Sequence, residues 1–542
     1  MSSGSADLVD VCLLGVWRMV MDAKDSIHPR QTEKFAHSWR QGCDFKRARG
    51  AKKLHHPNNR TQPTAVQKLY LFQVQDNASP LLHRDFAHDV LENDGDGCIK
   101  SRLQNRDDKC FPGLAKPHLH IRTFQKHQYG EIKRKVLPRD CRTMREGTGN
   151  MHEVAILGAA RTAMGGLQGV FAGLGAPQLG GAAIGGAMRD AGLDPGLVED
   201  LLMGCVLPAG QGQAPARQAG FAAGLDQSVP ATTLNKMCGS GMKAAMIAHD
   251  QIALGQTGIM IAGGMESMSD APYLLPKMRS GARLGHGQVM DHMFLDGLED
   301  AYDKGRLMGT FAEECATHYQ FSRETQDAYA LRSLSNALEA QAKGAFMREI
   351  APVTRTTRQG EATITEDEQP GSARPEKIPH LKPAFRKDGT VTAANSSSIS
   401  DGAAALVLAS RSAAEAQGIA PRAFIRGHAS HAQAPGWFTT APVPAARKLM
   451  DRLGWSVSDV DLWEVNEAFA VVPMAFMHEM GLPRDVVNVN GGACALGHPI
   501  GASGARIMVT LLNALEARGQ KRGIAAICIG GGEGTAIAIE RP

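Results

Sequence analysis

A cysteine followed by two closely spaced glycines is the residue of this chain best suited to covalent chemistry. Cys238 stands in the segment L-N-K-M-C-G-S-G-M-K-A-A, between a short apolar stretch and a run with helical character. A thiol at the start of a helix faces unpaired N–H groups and the positive end of the helix dipole, which favour the nucleophilic thiolate. Gly239 and Gly241 would let a substrate carbonyl approach the backbone closely. The alternative is a buried structural cysteine at a tight turn.

Three side chains near the other end of the chain would complete a set that processes an acyl thioester: Asn466, His498 and Cys528. The Cys238 thiolate would attack the thioester and store the acyl group, while His498 could take the thiol proton and stabilise an oxyanion. Cys528, with a pKa of about 8.5 before perturbation, suits an acid or base acting on a carbon acid. Asn466 could hold a water or a carbonyl oxygen. The backbone N–H groups around Cys238 and Gly530 offer a second oxyanion site.

Each of these residues also has a structural interpretation. His498 precedes a proline and could be a turn residue, Cys528 ends an apolar strand and could belong to the core, and Asn466 could cap a helix. We assign structural roles to Cys494 and to Glu266, the second as a loop cap. No close-spaced pair of Cys or His ligands is present in this set, so we expect no metal site there.

The two reactive stretches lie in segments that resemble each other. In each, a reactive residue precedes a glycine-containing turn and a helix, and an apolar strand then ends on consecutive glycines. The interval from Cys238 to Gly263 is 25 residues, and the interval from His498 to Gly530 is 32 residues. Two copies of one unit, packed so that their loops meet, would bring the candidate residues into a common cleft at the ends of strands.

From residue 151 onwards, apolar strands alternate with helical stretches. This pattern predicts an α/β fold with a mostly parallel sheet and helices on both faces. Residues 267–387 interrupt the alternation with an Arg- and Gly-rich stretch, two helices and a polar segment containing four prolines. We interpret them as a loop domain inserted into a first half that spans residues 151–417. A second α/β half spans residues 418–542.

Residues 1–150 differ in composition from the rest of the chain. They hold 26 Lys and Arg against 17 Asp and Glu, and 10 glycines, whereas the remainder holds 33 against 38, and 50 glycines. Neither helical nor strand periodicity extends far, which predicts a basic extension that is disordered or irregular. A start-site artefact is another interpretation, because Met151 opens a segment that runs directly into a strand. A nucleic-acid-binding arm is a third, although no such motif is present.

Composition also bears on compartment and partners. The chain contains no run of about 18 apolar residues, so we expect no membrane span. Its ten cysteines show no paired spacing, which predicts reduced thiols and a cytoplasmic location. A hydrophobic fraction of 43% and 60 glycines are typical of a globular α/β enzyme.

Four motifs resemble the signatures of the thiolase family, and of its acetyl-CoA acetyltransferase branch in particular. They are N-K-M-C-G-S-G, N-E-A-F-A, G-H-P-I-G-A-S-G and C-I-G-G-G-E-G, in this order, and the resemblance covers residues 151–542. It implies the thiolase fold, in which two similar βαβαβαββ halves make a five-layered αβαβα structure. It also implies an inserted loop domain that binds coenzyme A and shapes a tetramer.

The resemblance assigns roles to the reactive residues. Cys238 would be the acylated nucleophile, Cys528 would abstract or return the α-proton of the second acyl-CoA, and His498 would activate Cys238. His498 and a water bound by Asn466 would form the first oxyanion hole. The N–H groups of Cys238 and Gly530 would form the second.

The resemblance also bears on the substrate site. Ser397 lies in a segment similar to the family's A-S-G-L-N-D-G and would touch the pantetheine arm of coenzyme A. Leu307 replaces a histidine of the biosynthetic acetoacetyl-CoA thiolases, which removes a polar contact to the thioester arm. Phe438 replaces a methionine and should favour a short acyl chain by filling the pocket, and Arg374 would substitute for a missing basic residue that holds the adenine nucleotide. We expect further substrate contacts from Met308, Phe385, Ala468 and Phe469.

The predicted reaction is the reversible condensation of two acetyl-CoA to acetoacetyl-CoA and coenzyme A through an S-acetyl-cysteine. Thiolysis of longer 3-ketoacyl-CoAs is the first alternative. A related condensing enzyme with a Cys-His-His or Cys-His-Asn set is another, and an inactive CoA- or lipid-binding scaffold is an alternative of a different class. We expect coenzyme A thioesters as substrates, no cofactor or metal, no nucleic-acid or membrane partner, and a homotetramer or homodimer.

Overall fold

The computed structural model of the protein describes residues 151–357 and 360–542. The predictions for residues 1–150 therefore lie outside the described residues. In the part of the chain that is described, no helix combines the length and the apolar character needed to cross a bilayer.

Fourteen strands are present in the described residues, ten in one mixed sheet and four in two short hairpins. In chain order they are β1 (Val154–Arg161), β2 (Gly165–Gly166), β3 (Asp200–Gly204), β4 (Ala231–Leu234), β5 (Ile259–Ser267), β6 (Tyr273–Leu274), β7 (Met290–Asp291), β8 (Val353–Thr357), β9 (Gly360–Ile364), β10 (Ser400–Ser410), β11 (Ala423–Ala432), β12 (Leu462–Val465), β13 (Arg522–Ile529) and β14 (Glu533–Glu540). The sheet runs β12-β13-β14-β11-β1-β10-β5-β3-β4, with β2 paired to β10.

The α-helices connect and cover these strands. They are α1 (Ala176–Ala191), α2 (Pro215–Ala222), α3 (Ser240–Ala253), α4 (Met308–His318), α5 (Arg323–Ala342), α6 (Glu368–Ser372), α7 (Arg411–Ala416), α8 (Pro442–Leu453), α9 (Val471–Met480), α10 (Ala493–Leu496) and α11 (Ile500–Ala517). Short 3₁₀ helices cover Pro195–Leu197, Met278–Ser280, Pro375–His380, Pro435–Thr440, Val457–Asp459 and Arg484–Val486, and a π-helical turn covers Phe294–Leu298.

The prediction of a mostly parallel sheet is wrong. Among the described strands of the main sheet, only the pairs β3–β4, β3–β5 and β12–β13 are parallel, and the other six pairs are antiparallel. One reason is β14, which the sequence analysis did not identify as a strand. It follows β13 after a glycine turn and folds back beside it, so that Cys528 lies opposite Gly534.

The predicted five layers are confirmed. Helices α1 and α2 cover the outer face of the first half of the sheet, and α8 and α9 cover the outer face of the second half. Helices α3 and α11 pack against each other and against strands of both halves, which makes them the central layer. Successive side chains of a strand point to opposite faces of the sheet. In β1, Ile156 therefore packs in the central core and Leu157 packs in the outer core.

Glycines at the starts of the two central helices allow the helices to approach each other closely. A Cβ atom at Gly241 would lie 2.8 Å from the backbone N of Ala505, and one at Gly504 would lie 2.5 Å from the backbone N of Met242. Side chains at these positions would force the helices apart. The loops that precede α3 and α11 carry Cys238 and His498, so this contact brings the two halves of the candidate site together.

A buried ion cluster anchors the segment between β5 and β10 to the sheet. Arg161, at the end of β1, donates from Nη1 and Nη2 to the carboxylate of Asp367 at 2.7 and 2.8 Å, and from Nε to Glu349 at 2.6 Å. All three side chains are fully buried. Because an unpaired charge is costly in the interior, this cluster fixes where the segment leaves and rejoins the core.

Candidate active site

The turn that carries Cys238 is held by side-chain hydrogen bonds on both sides of it. Asn235 accepts the N–H of Met237 at 2.8 Å, and Met237 adopts a left-handed φ of 48°. The hydroxyl of Ser240 donates to the Met237 carbonyl at 2.6 Å and accepts the N–H of Lys236 at 2.8 Å. These bonds place Cys238 immediately before the first turn of α3, where the sequence predicted it.

Burial, rather than the helix start, dominates the ionisation of Cys238. Burial raises the pKa of the thiol to about 11; the backbone N–H groups of Gly530 and of Cys238 itself lower it, and the negative charge of Glu266 raises it. The expectation that the helix start favours a thiolate is therefore wrong for the free enzyme. The backbone N–H groups lower the pKa of the thiol as expected, but the loss of hydration of the sulfur outweighs them.

Cys528 lies close enough to Cys238 for the two sulfurs to interact electrostatically. Burial raises the pKa of the Cys528 thiol well above its usual value, and the neighbouring Cys238 raises it further. The backbone of Gly239 also packs closely against the end of β13, because a Cβ placed at Gly239 would overlap the side chain of Ile529. The end of β13 therefore lies directly against the turn that carries Cys238.

His498 is a buried neutral imidazole with one free nitrogen. Its Nδ1 lies 2.6 Å from the hydroxyl of Ser503, which itself donates to the Pro499 carbonyl at 2.9 Å. The hydroxyl therefore accepts from Nδ1–H, which leaves the Nε2 lone pair available as a base. Burial, and secondly the charge of Arg506, lower the pKa of His498 to about 3. Nε2 has no hydrogen-bond partner among the described residues.

Asn466 presents a second set of unsatisfied polar atoms. Its backbone N–H donates to the Ala526 carbonyl at 3.0 Å, which fixes it beside β13 two residues before Cys528. The side chain is fully buried, yet neither its Oδ1 nor its Nδ2 has a partner in the described part of the chain. Buried amides are normally hydrogen-bonded, so this one is suited to bind a water or a substrate oxygen.

The structure gathers five of the predicted substrate residues into the apolar cluster that contains Cys528. They are Met308, Phe385, Phe438, Ala468 and Phe469. The Sδ of Met308 would lie 3.7 Å from a Cβ placed at Gly530, which puts this side chain beside the predicted oxyanion N–H. These residues come from α4, from the segment before β10, from a 3₁₀ helix and from the β12–α9 connection.

Aromatic rings pack against one another in this cluster. Phe438 is buried and meets Phe311 edge to face, with ring centroids 6.3 Å apart. Phe385 lies against Gly309, where a Cβ would overlap its ring, and meets Phe469 edge to face at 5.9 Å. The glycine is therefore required for the ring of Phe385 to reach this position.

Ser397 and Arg374, the two remaining predicted coenzyme A contacts, lie in different surroundings. The N–H and hydroxyl of Ser397 both donate to the Ala468 carbonyl, at 3.0 and 2.9 Å, so Ser397 adjoins the cluster. Arg374 lies on the exposed surface, before the 3₁₀ helix Pro375–His380, and its side chain forms no hydrogen bond or ion pair with any described residue. The role of Arg374 in holding the adenine nucleotide stays a prediction.

Sequence reasoning missed the positioning roles of Ser240 and Ser503, although both lie inside the quoted motifs. It treated Glu266 only as a loop cap. Glu266 is fully buried and accepts the N–H groups of Val206, Leu207 and Gly501 at 2.8–3.1 Å, which ties a loop of the first half to the start of α11. Burial raises the pKa of Glu266 to about 7 and these N–H groups oppose the rise.

The raised pKa of Cys238 predicts a steep pH dependence of its alkylation. Because the pKa of about 11 lies above neutrality, the thiolate fraction should rise about tenfold per pH unit between pH 7 and 10. The rate of iodoacetamide labelling at Cys238, followed by peptide mass spectrometry on the full chain, should rise in proportion. A rate that is already constant at neutral pH would mean a thiolate–imidazolium pair and contradict this ionisation.

The layered fold, with two thiols and a neutral histidine at the junction of its halves, defines an acyltransferase, and the chain belongs to the thiolase family. The family models described as Thiolase, N-terminal domain and Thiolase, C-terminal domain match residues 154–412 and 419–541.

Relatives and solved structures agree on one branch of this family. The chain is 47% identical over 393 residues to the acetyl-CoA acetyltransferase of Pseudomonas aeruginosa, covering 72% of this chain and 100% of that protein. It is 48% identical over 395 residues to acetyl-CoA acetyltransferase 2 of Arabidopsis thaliana, covering 72% of this chain and 98% of that protein. The crystal structure of the Bacillus anthracis acetyl-CoA acetyltransferase matches with a TM-score of 0.71 at 40% identity, covering 73% of this chain and 100% of that chain.

Proposed function

We propose that this chain is an acetyl-CoA C-acetyltransferase, which condenses two acetyl-CoA to acetoacetyl-CoA and coenzyme A and also catalyses the reverse reaction. The observation that carries the proposal is the proximity of Cys238 and Cys528, whose sulfurs interact electrostatically where the end of β13 packs against Gly239. The unpaired Nε2 of His498 and the unpaired side-chain amide of Asn466 support it. The names of the relatives support the choice of an acetyl group. An inactive scaffold would have no use for these buried unsatisfied groups, whose burial costs stability.

In the first half-reaction, Cys238 attacks the carbonyl carbon of acetyl-CoA. Since its thiol is protonated at rest, the proton moves to Nε2 of His498 as the carbon–sulfur bond forms. The imidazolium N–H and a water held by Asn466 then stabilise the oxyanion. As the bond to the coenzyme A sulfur breaks, His498 returns the proton to that sulfur, which leaves as free coenzyme A and an S-acetyl-Cys238.

In the second half-reaction, Cys528 first releases its thiol proton to water, and the resulting thiolate removes an α-proton from a second acetyl-CoA. Its raised pKa makes its thiolate a strong base, while the thioester acidifies the carbon to be deprotonated. The resulting carbanion attacks the acetyl carbon on Cys238, whose oxyanion the N–H groups of Cys238 and Gly530 stabilise. Breakage of the bond to Cys238 releases acetoacetyl-CoA, and the proton from Cys528 restores the Cys238 thiol.

The packed aromatic rings around Cys528 favour a substrate with a short acyl chain. Phe438 and Phe311 pack edge to face within the cluster that holds Cys528, and Phe385 and Phe469 close another side. A longer chain would have to displace well-packed rings, which costs more than its added methylenes regain. Leu307, at the start of α4, offers an apolar side chain to the thioester arm.

A chain-length series tests this function. We measure kcat/KM for thiolysis of 3-ketoacyl-CoAs from C4 to C10 with the full chain and expect at least about a tenfold fall between the ends of the series. Phe438→Ala should flatten this profile, because it opens the pocket without removing a reactive group. A rise toward C10 would favour the long-chain alternative, and no turnover on any substrate would favour the scaffold.

We further propose that the enzyme is a homotetramer or homodimer in the cytoplasm and needs neither metal nor cofactor for turnover, because coenzyme A thioesters are its substrates. Strand β4 has an unpaired edge in the described sheet, and Leu284 between β6 and β7 is 98% exposed, so both are candidates for subunit contacts. Both reactive cysteines must stay reduced, which fits a reducing compartment. Sedimentation equilibrium of the full chain would return a monomer mass if the assembly proposal is wrong.

A further inference from the structure

The adjacent residues His249 and Asp250 meet the distant His428 on the side of the protein away from the start of α3. His249 and Asp250 lie near the end of α3, and His428 lies on β11. Oδ1 of Asp250 lies 2.8 Å from Nε2 of His428 and 3.1 Å from Nδ1 of His249. Within the described residues, this is the one group of three such side chains whose donor atoms all lie within 4.8 Å of one another.

We propose that His249, Asp250 and His428 form a structural site for a divalent transition-metal ion, with Zn²⁺ the best fit. Two imidazole nitrogens and a carboxylate oxygen are ligands that Zn²⁺ accepts at about 2.0–2.2 Å. Ligands at that distance around a tetrahedral ion lie about 3.3 Å from one another. The two separations from the Asp250 oxygen, 2.8 and 3.1 Å, need to open by a few tenths of an ångström, and the two imidazole nitrogens already lie within 4.8 Å of each other.

The surroundings of these three side chains are more typical of a metal site than of an exposed ion pair. The histidine side chains are only 18% and 16% exposed, whereas Asp250 is 52% exposed, which leaves room for a water as fourth ligand. Arg452 donates to the backbone carbonyl of His428 at 3.1 Å and not to either ring.

A metal at this position would connect the two halves of the fold. Helix α3 belongs to the first half and carries Cys238 before its N-terminus, whereas β11 opens the second half. His249 is nine residues into α3 from Ser240, or about 14 Å along the helix axis, so the ion would not touch the thioester chemistry. Its effect would be on stability, because an ion that binds only the folded state shifts the equilibrium toward it.

Titration of the full chain, without a polyhistidine tag, with Co²⁺ or Zn²⁺ alone tests the site. By calorimetry, the wild-type chain should bind one more equivalent than the double variant His249→Gln, His428→Gln. His428→Gln alone should weaken that site at least about tenfold. Zn²⁺ should raise the thermal midpoint of the wild-type chain by several degrees more than that of the double variant. Glutamine can still hydrogen-bond to Asp250, which keeps the variants folded.

The matched control is His431→Gln, which removes a histidine three residues along β11, on the opposite face of the strand, and should leave binding unchanged. The Co²⁺ absorption spectrum of the wild-type chain gives a test that does not depend on any variant folding. This spectrum should contain the bands of Co²⁺ bound by four nitrogen and oxygen ligands, and the spectrum of the double variant should lack them. Identical stoichiometry in wild type and double variant, or Co²⁺ bands arising only from thiolate ligands, would overturn the proposal.

Discussion

Cys238→Ser is expected to abolish turnover and covalent acetyl labelling together, with kcat reduced at least about a thousandfold. A serine hydroxyl is a far weaker acid than a thiol, and His498, a weak base with a pKa lowered to about 3, would not ionise it at neutral pH. The measurements are thiolysis of acetoacetyl-CoA and incorporation of radiolabel from acetyl-CoA, followed by peptide mapping of the labelled site.

The matched control for this variant is Cys494→Ser. The thiol of Cys494 donates to the Glu467 carbonyl at 3.8 Å, and its backbone N–H donates to the Glu467 carboxylate at 3.1 Å. A serine hydroxyl can replace the first contact, and the substitution leaves the second unchanged. We expect this control to retain turnover and labelling. Acetyl labelling that persists at wild-type stoichiometry in Cys238→Ser would remove Cys238 from the mechanism.

Cys528→Ser is expected to separate the two half-reactions. Acetyl labelling of Cys238 should persist, because that step uses His498, while condensation should fall by about 10²–10⁴-fold through loss of the general base. Labelling stoichiometry and the rate of acetoacetyl-CoA formation, measured on the same preparation, test both parts. The substitution is nearly isosteric, so the apolar cluster around residue 528 should stay packed.

Cys315→Ala controls for the removal of a thiol from this part of the core. Cys315 is buried in the same cluster and its charge would reach Cys528, yet it has no assigned step in the reaction. We expect condensation to continue in this variant. If Cys528→Ser loses labelling as well as condensation, Cys528 acts before the acetyl-enzyme forms and its proposed role is wrong.

The ionisation of the two sulfurs explains how the resting enzyme can hold two reactive thiols close together. Loss of hydration raises the pKa of the half-buried Cys238 and of the buried Cys528, which favours the thiol forms, and it lowers the pKa of His498, which favours the neutral imidazole. The uncharged set avoids the cost of buried unpaired charges. Proton transfer then accompanies bond formation, when the substrate supplies the oxyanion that the unpaired groups of His498 and Asn466 can bind.

The sequence by itself was sufficient to predict the thiolase fold with its two halves and to select the candidate reactive residues. These features depend on local patterns, such as glycines beside a reactive residue or an apolar run of one element's length. Such patterns do not fix where an element ends; β11, for example, extends over ten residues from Ala423 to Ala432. The alternation of strands and helices did not predict β14, an eight-residue strand, although the βαβαβαββ halves implied by the resemblance end in two consecutive strands.

Only the tertiary structure decided the direction of the strand pairs, the protonation of the reactive groups and the meeting of His249 with His428. Strand direction follows from which distant strands pair, and a pKa follows from how much water the whole fold removes from a group. Cys238 shows the difference clearly. Its neighbours in sequence favour a thiolate, but its neighbours in space remove the water that a thiolate requires, and the second effect is larger.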